Sequence, residues 1–201
     1  MFDEAAGAKS TARSRVQSAQ SLSGRLALCS PTPDDADELY SMYSDPRLAE
    51  ADPMLAHPSI AYTRAVLQRR IAEWHEHGQG LWVVRHLHGS SAGELVGIGG
   101  CNFWANTAWN LSFSLHPQGW GRGYAQEIAA AGMEQARALR PDLPITAVVA
   151  TRNTRSRKAV ERAGLHQVWQ GQDNHDPDPT ATMLLYADRS LSKDQIQALT
   201  R

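Results

Sequence analysis

Residues 116–127, HPQGWGRGYAQE, form a glycine-rich stretch that leads into a predicted helix. Three glycines, Gly119, Gly121 and Gly123, fall within five positions just before a stretch with helical periodicity. Glycine there costs conformational entropy and adds no side chain to a core, so the pattern indicates that a ligand comes close to the backbone. The free N–H groups at a helix start favour anions, and phosphate is the usual one.

Two common phosphate motifs do not fit this stretch. A P-loop would end in Gly-Lys-Ser/Thr, whereas Gly123 is followed by Tyr124. The dinucleotide fingerprint, counted from Gly119, requires a small residue where Tyr124 stands. That fingerprint also follows the first strand of a parallel unit, whereas this loop follows the last of three predicted antiparallel strands.

Working outward from the loop, hydrophobic periodicity and capping residues predict the other elements. They are a strand at 25–29, a helix after Thr32, a helix at 59–78, strands at 81–87, 93–104 and 108–116, a helix from the glycines to Pro141, a strand at 145–151, a helix from Asn153 to Gly164, two closing strands and a short helix after Ser192. Antiparallel runs mixed with strand–helix–strand units predict an α/β (α+β) fold. We expect a mixed, mostly antiparallel sheet of about seven strands with helices on both faces.

Composition bounds the protein's class. The chain has 201 residues, 42% of them hydrophobic, and a net charge of −1 at pH 7. This near-neutral net charge argues against a nucleic-acid partner, because a protein that binds nucleic acid needs a basic surface. We predict a flexible tail at 1–24, one domain at 25–190 and a helical tail at 191–201.

Location and metal content are predicted from what the sequence lacks. Cys29 and Cys101 are far apart and match no metal spacing, so we expect no metal and two buried, reduced thiols. No apolar run is long enough to span a membrane, and no secretion signal is visible. The prediction is a cytoplasmic protein with no membrane partner.

Two segments carry a resemblance to a known family. Gln118–Gly123 matches Q/R-x-x-G-x-G/A, and thus resembles the pyrophosphate loop of the GNAT superfamily of N-acetyltransferases. RNTRSRKAVERAGL, residues 152–165, resembles the family's second cofactor segment. YSDPRL and GELVGIGG resemble the RimJ/RimL-like branch, which includes acetylases of ribosomal-protein N-termini. The likeness covers residues 25–187.

The resemblance implies an acyltransferase that moves the acetyl group of acetyl-CoA to a primary amine by direct attack in a ternary complex. The acceptor stays open among a protein N-terminus, an amino acid or peptide, and a small-molecule amine. A non-catalytic acyl-CoA-binding module is the alternative, and a homodimer is a further expectation.

The same resemblance implies the coenzyme contacts. Leu115 and His116 would offer backbone N–H groups, and Asn153 would hold the pantetheine amide. The remaining implied contacts are Gln118, Gly119, Trp120, Gly121, Arg122, Gly123, Tyr124, Ala125 and Ser156.

The sequence determines the catalytic residues less closely than the coenzyme contacts. Many relatives place a tyrosine where this chain has Val160, so Ser156 is the predicted hydrogen-bond donor to the leaving thiolate. Many also carry a glutamate base where this chain has Asn110. A base is needed because amines are largely protonated at neutral pH. Candidates for that base stay open among His116, Asp173, His175 and Asp176.

Overall fold

The computed structural model describes residues 21–200. Within that range the chain forms eight strands and six α-helices. The strands are β1 (Ser21–Ser23), β2 (Leu26–Cys29), β3 (Trp82–His86), β4 (Leu95–Trp104), β5 (Ala108–Leu115), β6 (Ile145–Ala150), β7 (His166–Gln172) and β8 (Thr182–Ala187). The helices are α1 (Ala36–Tyr43), α2 (Pro46–Ala51), α3 (Ile60–His77), α4 (Tyr124–Leu139), α5 (Thr154–Arg162) and α6 (Lys193–Leu199).

The strands form one mixed sheet in the order β1-β2-β3-β4-β5-β6-β8-β7. Every neighbouring pair is antiparallel except β5 and β6, which are parallel. The predicted fold class is confirmed, with one strand more than expected. That extra strand, β1, lies at the end of the segment predicted as a flexible tail. Gly24, with φ 51°, turns the chain back so that Ser21–Ser23 pair with β2. Residues 1–20, the rest of that predicted tail, lie outside the described residues.

Helices cover both faces of the sheet. On one face, α4 and α5 pack on alternating apolar side chains such as Leu28, Leu111 and Ile145. On the other face, α1 and α3 pack on Val83 and Ile98. The C-terminal helix α6 also packs on the domain, because Leu199 is buried against Ala108 and Leu185.

A buried ion pair fixes the start of α1. Arg85, 2% exposed on β3, donates to Asp35 at 2.7 Å and to Glu38 at 2.6 Å. Because the Arg85–Asp35 pair is buried and Glu38 adds a second ion pair, breaking these contacts would be costly, and they hold α1 over the sheet.

The sheet opens between its two central strands. β5 pairs with β6 only at Trp109 with Ile145 and Asn110 with Thr146, although both strands continue beyond these pairs. The two strands therefore diverge toward the C-terminal end of β5. We call this space the strand opening.

Residues 21–200 provide two observations, on membrane spanning and on metal binding. No helix in that range is long and apolar enough to cross a membrane. No three His, Cys, Asp or Glu side chains of the described chain lie close enough together to hold a metal ion. Cys29 and Cys101 are both buried and form no disulfide.

Candidate active site

A cavity of about 550 Å³ lies at the strand opening. We call it the first cavity. Its lining comes from α2, β5, α4, α5 and residues 118–123, which we call the glycine loop. The predicted coenzyme contacts among its residues are Leu115, Gly119, Trp120, Gly121, Gly123, Tyr124, Ala125, Asn153 and Ser156. The structure thus brings together two segments that are about thirty residues apart in sequence.

The glycine loop leaves open space above its backbone. Gly121 and Gly123 have φ angles of 75° and 81°, which other residues rarely adopt. A Cβ at Gly121 would meet no protein atom within 4 Å, so nothing in the described chain fills the space beside it. Gly123 is also the N-cap of α4, whose first N–H groups start here. A loop of this kind fits a pyrophosphate group.

Arg25 holds the glycine loop from outside the cavity. Its guanidinium donates to the backbone oxygen of Arg122 at 2.8 Å and pairs with Glu127 in the first turn of α4. The same guanidinium lies 4.6 Å from the ring centroid of Tyr124. These contacts tie the loop and the start of α4 to β2, so the loop is shaped before any ligand binds.

Asn153 and Ser156 form the start of α5 at the cavity wall. The Asn153 side-chain oxygen accepts the Ser156 backbone N–H at 3.1 Å, which caps the helix. This leaves the amide nitrogen of Asn153 and the hydroxyl of Ser156 for a ligand, and both residues line the first cavity. Val160, by contrast, is 2% exposed within the core and lines neither cavity described here.

Three cations that sequence analysis did not single out also line the first cavity. Arg155, Lys158 and Arg162 lie on one face of α5 at spacings of three and four residues. The Arg155 guanidinium stacks 4.1 Å from the ring centroid of Trp120. This helical spacing was the signal in the sequence that could have found them. No Asp or Glu from the described residues lines this cavity, so its charge favours a polyanion.

The backbone of β5 explains which predicted N–H groups can serve a ligand. The N–H of His116 donates to Val96 on β4 at 2.9 Å, and the N–H of Trp109 points the other way, to Pro144. Because N–H directions alternate along a strand, those of Phe113 and Leu115 face the strand opening. The predicted role for Leu115 fits this geometry, whereas the His116 N–H, already bonded to β4, does not face the strand opening.

Other predicted residues lie away from the cavity lining. The His116 ring accepts the Gln118 N–H at 3.3 Å, and neither residue lines the first cavity. Arg122 is exposed beside it. Asp173 and His175 lie in the loop between β7 and β8, where the Asp173 carboxylate accepts the His175 backbone N–H at 3.1 Å. The structure does not bring these two to the cavity.

Asp176 in the same loop is committed to a charge pair. Its carboxylate accepts from Arg152 at 2.6 Å, and Arg152 also reaches Asp52 at 3.0 Å. The Asp178 backbone N–H and Arg152 together lower the pKa of Asp176 below its usual value. A carboxylate held in this way is a poor proton acceptor.

A second cavity, of about 260 Å³, lies between α1, α3 and the face of β5 that carries Ser112 and Ser114. Its apolar lining includes Leu39, Val66, Leu67, Leu81 and Ile98. Its polar lining is Tyr43, His57, Tyr62, Thr63, Arg69, Arg70, Ser112 and Ser114. Ser114 and Leu55 line both cavities, so the two meet beside β5.

The polar side chains of the second cavity form a connected cluster. The ring of His57 stacks on Tyr43 with centroids 3.9 Å apart, and Tyr62 packs edge-on at 4.9 Å. Burial raises the pKa of Tyr43, and the hydrogen bond with Ser114 offsets part of that rise. Burial also lowers the pKa of His57, which favours the neutral ring.

A comparison with known protein families identifies the domain. A family model described as an acetyltransferase (GNAT) domain matches residues 25–166, which is more than half of the chain. Comparison with curated protein sequences gives no match.

Solved structures share the fold at low identity. One is an acetyltransferase of Agrobacterium tumefaciens, with 22% identity, a TM-score of 0.66, and 85% of this chain and 94% of that chain covered. Another, from Salmonella typhimurium, modifies the N-terminal serine of ribosomal protein L7/L12, with 16% identity, a TM-score of 0.63, and coverage of 85% and 97%. A third is the microcin C7 self-immunity acetyltransferase MccE in complex with acetyl-CoA and AMP, with 13% identity, a TM-score of 0.63, and coverage of 81% and 91%.

The fold and the glycine loop therefore define an acetyltransferase. The chain belongs to the GNAT family, and the resemblance found in its sequence is confirmed. RimL, a ribosomal-protein acetyltransferase, is among the structures that share its fold, with a TM-score of 0.68.

Proposed function

We propose that this protein transfers the acetyl group of acetyl-CoA to a primary amine, with the coenzyme in the first cavity and the amine entering from the second. One observation carries this assignment. The two cavities meet beside β5, where both are lined by Ser114 and Leu55 and where β5 and β6 have separated. A donor and an acceptor placed in them would meet at that point, as direct transfer requires.

The first cavity fits the parts of the coenzyme in order. The loop N–H groups from Gly121 to Tyr124 would hold the pyrophosphate, whereas those of Gly119 and Trp120 donate to the backbone oxygens of His116 and Pro117. Arg155, Lys158 and Arg162 would supply positive charge for the phosphates. The N–H groups of Phe113 and Leu115 would pair with the pantetheine arm as a neighbouring strand does. The free amide nitrogen of Asn153 would donate to a pantetheine carbonyl.

Acetyl-CoA, when bound, supplies a thioester carbonyl for attack and a thiolate as leaving group. The chain then has two tasks. It must take a proton from the incoming ammonium group, and it must stabilise the thiolate. The Ser156 hydroxyl lines the first cavity and would donate a hydrogen bond to the thiolate. A weak hydrogen-bond donor such as a hydroxyl is enough for this role, and no strong acid is needed.

The decisive experiment is acetyl-CoA binding by calorimetry to the wild type, Gly121→Asp and Gly89→Asp. We expect Gly121→Asp to weaken binding at least a hundredfold, because a carboxylate would occupy the space meant for phosphate. Gly89 is a matched control, since it also has a positive φ, 82°, and no protein atom within 4 Å of an added Cβ. Gly89→Asp therefore carries the same backbone strain and should bind like the wild type.

Equal binding by Gly121→Asp and the wild type, or no binding by the wild type, would remove the proposed coenzyme site. Release of CoA thiol on mixing with a panel of primary amines then tests turnover. Coenzyme binding without any transfer would favour the alternative, a non-catalytic acyl-CoA-binding module.

A further inference from the structure

The charge of the second cavity limits the amines it can take. Arg69 and Arg70 line it, and no Asp or Glu of the described residues does. Arg70 is neutralised by Glu73, whose two oxygens lie 3.1 and 3.0 Å away. Arg69 makes no ion pair within residues 21–200, so its charge is available to a ligand. Such a cavity repels a polycation and attracts a carboxylate.

The hydrogen bonds of His57 define where a proton can be accepted. The Thr63 hydroxyl lies 3.4 Å from the Ser59 backbone oxygen and 2.8 Å from His57 Nδ1. When its proton goes to Ser59, Thr63 accepts from His57 Nδ1, and the ring then carries its proton on Nδ1 and its lone pair on Nε2. His57 lines the cavity, so a ligand there can reach the ring.

The groups facing His57 allow it to stay neutral. They are Tyr43 from α1, Tyr62 and Thr63 from α3, and the Arg69 and Arg70 cations of the same cavity. None of these is a carboxylate that would hold the ring protonated. Histidine is the side chain best suited to accept a proton near neutral pH.

We propose that the second cavity selects an α-amino acid with an apolar side chain as the acetyl acceptor. Its carboxylate pairs with Arg69, its side chain packs on the leucines and Ile98, and its ammonium group gives a proton to His57 Nε2. The inference rests on the proposed function. The small volume, below the roughly 300 Å³ typical of drug-sized ligands, suits a single amino acid.

The proposed step balances. The ammonium group loses one proton to His57 Nε2, and the neutral amine forms the N–C bond to the acetyl carbon as the C–S bond breaks. The second amine proton goes to the thiolate, so that the products are an N-acetyl amino acid, CoA thiol and a protonated His57. His57 then returns its proton to water.

The test compares three probes as acceptors and as ligands. They are apolar L-amino acids such as leucine, the matching carboxamides, and spermidine. The carboxamide has the same amine and side chain but no carboxylate, so it also stands for a protein N-terminus. We expect the free acid to bind by calorimetry and to be acetylated at least tenfold faster than the amide. Spermidine should be the poorest substrate.

Two variants of α3 distinguish the effect of the Arg69 charge from a general effect on folding. Arg69→Glu should weaken binding of the acid at least tenfold and leave the amide almost unchanged. Arg64→Glu is the control, because Arg64 lies on the same helix, is exposed, and does not line the cavity. Equal rates on acid and amide, a preference for spermidine, or no binding of any free acid would overturn the proposal. If acetyl-CoA still binds the wild type and not Gly121→Asp in those cases, the coenzyme site survives and only the acceptor class fails.

Discussion

At the scale of single residues, His57 and Ser156 divide the proton chemistry between the two cavities. Ser156 is placed by a helix cap, which the sequence shows directly as Asn153 followed three positions later by serine. His57 is placed by a stack on Tyr43 and a hydrogen bond to Thr63, and neither contact belongs to a sequence motif. A residue positioned by tertiary contacts of this kind leaves no local signal.

Replacing His57 with glutamine should lower kcat for the amino acid acceptor by about a hundredfold or more, the usual contribution of a general base. Its KM should change little. Because the pKa of His57 lies below the usual 6.5, the wild type keeps its base at neutral pH. The variant depends on spontaneous loss of the ammonium proton, so its deficit should shrink as the pH rises toward the acceptor's own pKa.

The pH profile of kcat/KM from pH 6 to 9 provides the measurement, with His75→Gln, an exposed histidine on helix α3, as the control. A His57→Gln deficit that stays constant across this range would contradict a role in proton transfer.

At the scale of elements, the glycine loop depends on how closely α4 approaches the sheet. A Cβ on Gly132 would lie 3.0 Å from backbone atoms of Gly100 and Cys101, so the helix backbone lies directly against β4. Since the loop is the N-terminal end of this helix, its position follows from that contact. The first cavity is thus set partly by a residue far from its lining.

Gly132→Val should destabilise the fold by about 1–3 kcal/mol, as overpacking of a well-packed core does. It should also weaken acetyl-CoA binding, because a displaced α4 carries the glycine loop with it. Urea unfolding and calorimetry measure the two effects. Ala130→Val, an exposed position on the same helix, should change neither. Unchanged coenzyme affinity in a destabilised Gly132→Val would show that loop and helix position are independent.

Sequence predicts the two halves of the site unequally. The first cavity could be predicted because its loop and the start of α5 are short, contiguous segments with characteristic spacing. The second cavity could not, since its lining comes from α1, α3 and β5, which meet only in the folded chain. Asp173 and His175 were candidates by position in a loop, and a loop's direction is not encoded in its composition. Strand β1 was also missed, because three residues give no periodicity.

At the scale of the whole molecule, the two thiols lie deep in the same sheet. Cys29 is 3% exposed on β2 and Cys101 is fully buried on β4. Burial raises the pKa of Cys101 to about 12, so its reactive thiolate is scarce near neutral pH while the chain is folded. Reaction with an alkylating reagent therefore requires the sheet to come apart.

We expect iodoacetamide at pH 8 to label neither thiol in the native protein, and to label both over the same range of urea concentration. Mass spectrometry of the two cysteine peptides after brief exposure measures this. Coincident labelling is what cooperative unfolding of one domain predicts. Labelling of one cysteine well before the other would show that β2 and β4 unfold separately.

The divergence of β5 and β6 also has a mechanical meaning. Five strands, β1 to β5, lie on one side of the divergence and three on the other, joined across the sheet by only two residue pairs. A force that separates β5 from β6 would meet few hydrogen bonds, so this boundary, which we call the seam, is the most easily deformed part of the sheet. A pantetheine arm lying along β5 would add hydrogen bonds in the space between strands β1–β5 and strands β6–β8. Occupancy of the coenzyme site would then slow amide hydrogen exchange on both sides of the seam, including strands that never touch the ligand.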